Sequence, residues 1–234
     1  GIDVLCLEED SARKLTNELT PNGEVVTWNL DRLGIPLIEI ATAPDITTPE
    51  HAKQTSIALG RTLRDTRRVR RGLGSIRQDL NVSIMCGDRV EIKGCQDLEW
   101  IPKIIRCEMA RQLHFYRLAN RLRSSHGLPP LSEDRREESP SVQDEVANIL
   151  QLNLVDVSSQ FAGCDSKRVK EGLGNNSVML ALPLSGFSGM IGTKEFDSDG
   201  AQMPRLGREL AGAAKLAGVA GVYHSDELPA YGIE

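Results

Sequence analysis

The sequence is short of the features that define several common protein classes. Its 234 residues include only five cysteines, none in a Cys-x-x-Cys pair, so neither a disulfide framework nor a zinc site is indicated. No apolar run approaches the roughly 20 residues that cross a bilayer, and no basic, signal-like segment opens the chain. We therefore expect a protein of the reducing cytoplasm that makes no membrane contact.

The composition that is present is that of an ordinary globular protein with an uneven charge distribution. Hydrophobic residues make up 40% and charged residues 26% of the chain, which excludes a disordered or collagen-like protein. Residues 1–126 carry 19 basic and 17 acidic groups, whereas residues 127–234 carry 9 and 16. The first region is therefore better suited to a polyanionic ligand. Because the chain begins without Met and stops in mid-pattern at Glu234, we expect it to be part of a longer protein.

Hydrophobic spacing predicts strands and helices in an α+β arrangement, with a mixed or antiparallel sheet. Thr48 and Pro49 are typical of a helix N-cap and first helical position. The helices are predicted over 49–71, 97–124 and 203–217. The strands are predicted over 4–7, 24–30, 35–41, 75–85, 89–95, 177–184 and 219–224.

The chain also divides into two regions by composition. Residues 127–145 are rich in proline, serine and charged residues and poor in apolar ones, which is typical of a linker. They separate a domain at 1–126 from a smaller unit at 146–234.

Two acidic segments are candidates for metal binding. Glu8, Glu9 and Asp10 follow an apolar strand, and acids this close repel one another unless a cation such as Mg²⁺ meets them. The alternative is a helix N-terminus, where acids are favoured by the helix dipole. Glu39 interrupts the apolar strand around it, so it could pair with an arginine, bind a metal or point to solvent.

A third candidate is a strand with polar residues at every second position. In Arg77-x-Asp79-x-Asn81-x-Ser83 the spacing of two puts all four side chains on one face. Glu91-x-Lys93 adds a polar face on the next strand, and lysine is a common phosphate partner. This face suits a substrate or metal site, although a solvated sheet face has the same pattern.

A basic segment is the fourth candidate. Arg61, Arg64, Arg68 and Arg71 recur at steps of three and four residues, so on a helix they would share one face. Such a stripe can bind the phosphates of RNA or ATP. It can also be a solvated helix face, and no aromatic residues interleave with it to stack on bases.

Several segments, in order, resemble the catalytic domain of the B/E subunits of tRNA-dependent amidotransferases. They are LEEDSA (7–12), DRLGIPLIEI (31–40), APD (43–45), GSIRQDLNVS (74–83) and VEIKG (90–94). Two later segments, LPLSGF (182–187) and GVYHSDELPAYG (221–232), resemble the insertion domain that bacterial aspartyl-tRNA synthetases share with the archaeal E branch of this family. The resemblance implies a cradle-like catalytic domain at 1–126. It also implies a small α/β insertion domain at 146–234 that is incomplete at its C-terminal end.

The resemblance implies a reaction and its participants. ATP and Mg²⁺ would phosphorylate the glutamate carried by Glu-tRNA(Gln), and ammonia from a partner amidase, the D-type subunit, would displace the phosphate to give Gln-tRNA(Gln). The full enzyme would be a cytoplasmic heterotetramer. Two alternatives remain: a non-catalytic tRNA-binding part of the same family, and the B-subunit paralogue, which lacks the insertion domain. The family's Glu-x-His motif does not precede Leu7, which favours the first alternative.

The resemblance also implies residue roles. Glu8, Glu9 and Glu39 would hold the metal, while Glu39, Asp79 and Lys93 would serve catalysis. Phosphate and substrate binding would fall to Arg77, Asn81 and Ser83. The basic residues Arg61, Arg64, Arg68 and Arg71 would contact tRNA.

Overall fold

The computed structural model describes residues 1–134, 153–196, 200 and 202–233. The chain forms two compact units, Gly1–Ser75 with Asp97–Pro102, and Ile76–Gln96 with Lys103–Glu234. Helices and two-stranded antiparallel sheets confirm the α+β class. The division at residues 127–145 stays a prediction, since 135–145 lie outside the described residues.

Four strands of the first unit form two antiparallel ribbons. Strand β1 (Ile2–Glu9) pairs with β4 (Pro36–Thr42), and β2 (Arg13–Thr20) pairs with β3 (Gly23–Asn29). The sequence did not predict β2, because it has only two apolar residues in eight. The two strands pair through backbone hydrogen bonds, which do not depend on apolar side chains, so polar residues can occupy most positions of β2.

Helix α1 (Pro49–Asp65) begins as predicted and ends six residues early. Thr48 caps it by accepting a hydrogen bond of 3.2 Å from the His51 amide. At the other end, the Thr66 hydroxyl donates to the Leu63 carbonyl at 2.6 Å and accepts from the Arg68 amide at 3.2 Å. These bonds compete with helical ones, and Arg67 turns to a φ of 56°. The predicted extension to residue 71 is therefore wrong.

The second unit contains a short hairpin, β5 (Leu80–Val82) with β6 (Val90–Ile92), held by helix α2 (Ile101–Ser125). Gln112 of α2 is buried, and its amide nitrogen donates to the Val82 carbonyl at 3.1 Å. Its amide oxygen accepts from the Ile84 amide at 3.1 Å. A side chain thus satisfies backbone groups that a longer strand would pair, which is why the hairpin is much shorter than the predicted 75–85 and 89–95.

Polar residues are among the buried side chains of α2. Glu108 is buried beside Gln112, whose amide nitrogen donates to it at 2.9 Å. Arg111 adds a two-point ion pair to Glu108 at 2.8 and 3.0 Å, which neutralises the carboxylate. Met109, an apolar residue of the same helix, is 37% exposed. The helix therefore positions the hairpin through a hydrogen-bonded network, because each buried polar group in it has a partner.

The last described region has a small core around Phe161, Cys164 and Val169. Of the strand predicted over 177–184, only Leu180–Ala181 forms a strand. The predicted strand at 219–224 is wrong, since no described residue there is in a strand. The Ala220 carbonyl accepts a hydrogen bond from the Arg168 side chain instead. The remaining elements of this region are β7 (Val155–Asp156), β8 (Leu180–Ala181), α3 (Lys167–Gly174), α4 (Leu206–Leu216) and the 3₁₀ segments Ser158–Phe161 and Ser225–Tyr231.

None of the described helices is long and apolar enough to cross a membrane.

Candidate functional site

Pairing of β1 with β4 brings a thiol and two carboxylates together on one face of the ribbon. Cys6 lies directly opposite Glu39, and Glu8 follows two residues after Cys6. Since side chains alternate along a strand, Cys6 and Glu8 point to the same side, where Glu39 is a direct or diagonal neighbour of each. The Cys6 thiol donates to Glu39 Oε2 at 3.4 Å. One ligand atom from each residue lies within 4.8 Å of the other two. We call this group the acid–thiol cluster.

The surroundings of the cluster raise the pKa of two of its groups, Glu8 and Cys6. A hydrogen bond to Glu39 raises the pKa of the Glu8 carboxyl, and repulsion by the Glu39 charge and desolvation raise it further. Desolvation raises the pKa of the Cys6 thiol, assisted by the hydrogen bond to Glu39 and the two nearby carboxylates. A carboxyl group whose pKa is raised can exchange its proton for a cation, and carboxylate oxygens suit a hard cation such as Mg²⁺.

Glu9 does not belong to this cluster. It lies opposite Pro36, one residue after Glu8, so it points to the other face of β1. The expectation that Glu8, Glu9 and Glu39 converge is thereby corrected to Glu8 and Glu39 with Cys6. The sequence offered a signal for Cys6, namely its spacing of two from Glu8 in a strand, but no CxxC pair drew attention to it. The metal role of each acid stays a prediction.

The polar strand of the second unit has the predicted alternation. Leu80 and Val82 are buried, whereas Asp79, Asn81 and Ser83 are exposed, as is Arg77 two residues before Asp79. On the partner strand Glu91 lies opposite Asn81. The spacing therefore identified one polar face, although of its residues only Asn81 and Glu91 lie in regular strands.

Lys93 on that face is held between two acids. Its Nζ lies 3.0 Å from Glu91 Oε1 and 3.6 Å from Asp79 Oδ2. The hydrogen bond to Glu91 raises the pKa of the Lys93 ammonium, with smaller contributions from the charges of Glu91 and Asp79. Asp79 also accepts from the Gly94 amide at 2.9 Å, which fixes its carboxylate. Any phosphate that approached Lys93 would compete with these two carboxylates.

The basic stripe is not one helical face. Arg61 and Arg64 lie in the last turns of α1, but Arg68 and Arg71 lie beyond its end at Asp65. A shared face would require a helix that continued to residue 71, so the prediction is wrong for the last two. All four side chains are exposed, and their contact with tRNA stays a prediction.

Comparison with known proteins decides the family. A model described as the GatB/GatE catalytic domain matches residues 1–203. The chain belongs to the GatB/GatE catalytic-domain family. The resemblance of the motifs to the catalytic domain of the B/E subunits is therefore confirmed, whereas the resemblance of residues 146–234 to an insertion domain stays a prediction.

Relatives of this GatB/GatE chain share its sequence over nearly its whole length. The chain is 43% identical over 235 residues to the E-type subunit of glutamyl-tRNA(Gln) amidotransferase from Methanocaldococcus jannaschii, covering 100% of this chain and 32% of that protein. The protein of the same name from Aeropyrum pernix is 44% identical, covering 99% and 32%. That from Pyrococcus furiosus is 44% identical, covering 100% and 33%. The chain thus spans about a third of the length of these curated relatives.

The GatB/GatE match includes both the acid–thiol cluster and the Asp79–Lys93 face, since it reaches residue 203. The first group lies within the first unit and the second within the other. The match also covers Glu108 and Gln112, which sequence reasoning missed because polar residues in a helix are usually exposed.

Proposed function

We propose that this chain carries the phosphoryl-transfer chemistry of the E-type subunit of a glutamyl-tRNA(Gln) amidotransferase. ATP would phosphorylate the side-chain carboxylate of the glutamate on Glu-tRNA(Gln), and ammonia would then displace phosphate to give Gln-tRNA(Gln). The supporting observation is that pairing of β1 with β4 brings the carboxylates of Glu8 and Glu39 together with the Cys6 thiol, within a region matched by the GatB/GatE family. The names of the relatives supply the substrate.

The chemistry accounts for the need for a cation. A carboxylate is a poor electrophile, and phosphorylation turns one of its oxygens into a leaving group. Phosphoryl transfer depends on positioning and on neutralising charge, which bound Mg²⁺ supplies. Glu8 and Glu39 would hold the ion through their oxygens, and the neutral Cys6 thiol would orient Glu39 through its hydrogen bond.

The second unit offers groups for binding phosphate and substrate. Lys93 and Arg77 would neutralise phosphate oxygens, with Asp79 holding Lys93 in place. Asn81 and Ser83 are exposed on the same face and would orient the substrate by hydrogen bonds. The ammonia would come from a partner amidase, the D-type subunit, in a cytoplasmic heterotetramer, and the insertion-like region would assist placement of tRNA. The relatives compared are all E-type subunits by name, which favours this branch over the B-subunit paralogue.

Isothermal titration calorimetry tests the proposal. We expect the chain to bind ATP with measurable heat in the presence of Mg²⁺ and to lose that heat when EDTA removes the ion, because Glu8 and Glu39 would hold the ion and its charge would offset that of the phosphates. Heat that does not depend on Mg²⁺ would contradict the metal role. An absence of heat under both conditions would favour the non-catalytic tRNA-binding alternative.

The raised pKa of Glu8 gives this binding a pH dependence. Mg²⁺ and the proton compete for the same oxygens, so Mg²⁺ affinity should be highest above the raised pKa of Glu8 and fall as the pH drops through it. Calorimetric titration with Mg²⁺ across the acid range measures the effect. Glu8→Gln is the control, since it removes the carboxyl group whose pKa is raised. If the variant kept the full pH dependence, another group would be responsible.

A further inference from the structure

Helix α2 borders a cavity of about 600 Å³ that the proposed chemistry does not use. His114, Arg117 and Arg121 line one side of it. These positions are spaced by three and four residues, so they share one helical face. Glu195, Phe196 and Met203 line the other side. All six belong to the second unit.

The cavity has an excess of positive charge. Arg121 Nη1 lies 3.6 Å from Glu195 Oε1, and the buried His114 ring places Nδ1 3.5 Å from Glu195 Oε2. Glu195 is thus shared by two basic groups. Arg117 is exposed and has no ion pair within the described part of the chain. Two permanent guanidinium charges therefore face one carboxylate, and guanidinium groups recognise phosphate by paired hydrogen bonds.

The same cavity has an aromatic wall. Phe196 is 61% exposed, which is unusual because phenylalanine side chains are usually buried. Its backbone is fixed by a bridge to Gln202. Met203 lies beside it in the lining and supplies a polarizable surface. An exposed ring next to arginines is the combination that binds an unpaired base and its phosphate.

The basic face extends beyond the cavity along α2. Arg106 and Lys103 continue it toward the N-terminal end of the helix, through Ala110, at steps of three and four residues. Both side chains are exposed. From Lys103 to Arg121 the face runs for roughly 27 Å at 1.5 Å per residue. That length matches several phosphates of a chain better than the phosphates of a single nucleotide.

We propose that this cavity binds one unpaired nucleotide of a single-stranded RNA, with its phosphate on Arg117 and Arg121 and its base on Phe196. The inference rests on the proposed function, since the substrate proposed there is an RNA. It assigns RNA contact to α2 rather than to Arg61, Arg64, Arg68 and Arg71.

Fluorescence anisotropy with a labelled single-stranded RNA of about eight nucleotides tests the proposal. Measured without Mg²⁺ or ATP, Arg117→Ala with Arg121→Ala should weaken binding about tenfold or more and reduce the salt slope by about 1.4, for two lost phosphate contacts. Phe196→Ala should weaken binding about tenfold through lost stacking. Arg208→Ala is the matched control, because Arg208 is an exposed arginine on α4 outside the cavity lining.

Glu195→Gln should have the opposite effect. Removing the carboxylate that competes for Arg121 and His114 should tighten RNA binding about two- to fivefold. A gain in affinity cannot arise from unfolding, so this variant separates the proposal from a structural defect. Thermal melting of every variant provides the second control.

Two results would overturn the proposal. One is a double arginine variant that loses no more affinity than Arg208→Ala. The other is displacement of the RNA by inorganic phosphate or AMP at the concentration at which unlabelled RNA displaces it, which would make the cavity a simple anion or mononucleotide site. Either failure would leave the Mg²⁺-dependent heat of ATP binding unchanged, so it is distinguishable from failure of the proposed function.

Discussion

Replacing Glu39 by Gln should reduce phosphate transfer from ATP to Glu-tRNA(Gln) at least about a hundredfold. Gln has nearly the same shape, so the pairing of β1 with β4 should survive. It carries no charge, however, and cannot balance a divalent ion. Transfer of labelled phosphate to Glu-tRNA(Gln) measures the effect. Binding of the tRNA should change little, because Glu39 is not one of the basic residues proposed to contact RNA.

Glu18→Gln is the matched control for this substitution. Glu18 is an exposed residue of β2 that lies opposite Val25, so the same chemical change is made on a strand of the same unit outside the cluster. We expect it to leave phosphate transfer within about twofold, as is usual for a surface substitution. Unchanged transfer in Glu39→Gln would remove Glu39 from the site. An equal loss in both variants would instead indicate a general effect of charge.

Strand alternation was the part of the site that the sequence could predict. Glu39 was singled out because it interrupts an apolar strand, and Asp79, Asn81 and Ser83 because they recur at every second position. Both patterns depend only on the two-residue period of a strand, which local sequence determines. The structure accordingly places each of these side chains on the expected kind of face.

Features that depend on pairing between distant segments were not predictable. The partnership of Cys6 with Glu39 is set by the register of β1 on β4, and a one-residue slip would place them on opposite faces. Nothing local fixes that register. The expectation for Glu9 failed for a different, local reason, since consecutive residues of a strand point to opposite faces.

Helix ends were mispredicted where a side chain replaced a backbone partner. The three- and four-residue spacing of the arginines continues past Asp65, but the Thr66 hydroxyl takes the hydrogen bonds that another turn would have used. The spacing of Arg61, Arg64, Arg68 and Arg71 was compatible with a helix and did not require one. The basic face of α2 was overlooked because its arginines alternate with apolar residues in a strongly helical pattern, and the cavity beside it depends on Glu195 and Phe196, far along the chain.

Gln112→Leu should lower the free energy of unfolding by about 3 kcal/mol, a large effect for a residue outside the acid–thiol cluster. Leucine fills similar space but leaves the Val82 carbonyl and the Ile84 amide without their Gln112 partner. Glu108 loses one donor and keeps its ion pair with Arg111. Unmade bonds to buried groups cost about 1–3 kcal/mol each, and local movement recovers part of that. Urea denaturation measures the loss. Amide hydrogen exchange at Ile84 should accelerate, which locates the defect at the hairpin.

Gln54→Leu distinguishes this cause from a general effect of adding an apolar side chain. Gln54 is an exposed residue of α1, so its substitution makes the same chemical change without leaving a buried group unpaired. We expect a change within about 0.5 kcal/mol there. If Gln112→Leu were no more destabilising than this control, the hairpin would be held by its apolar contacts alone. In that case the hydrogen bonds from Gln112 of α2 would not determine the positions of Asp79 and Lys93. A large loss would mean instead that a buried amide on a helix sets the position of the polar face that the proposed reaction uses.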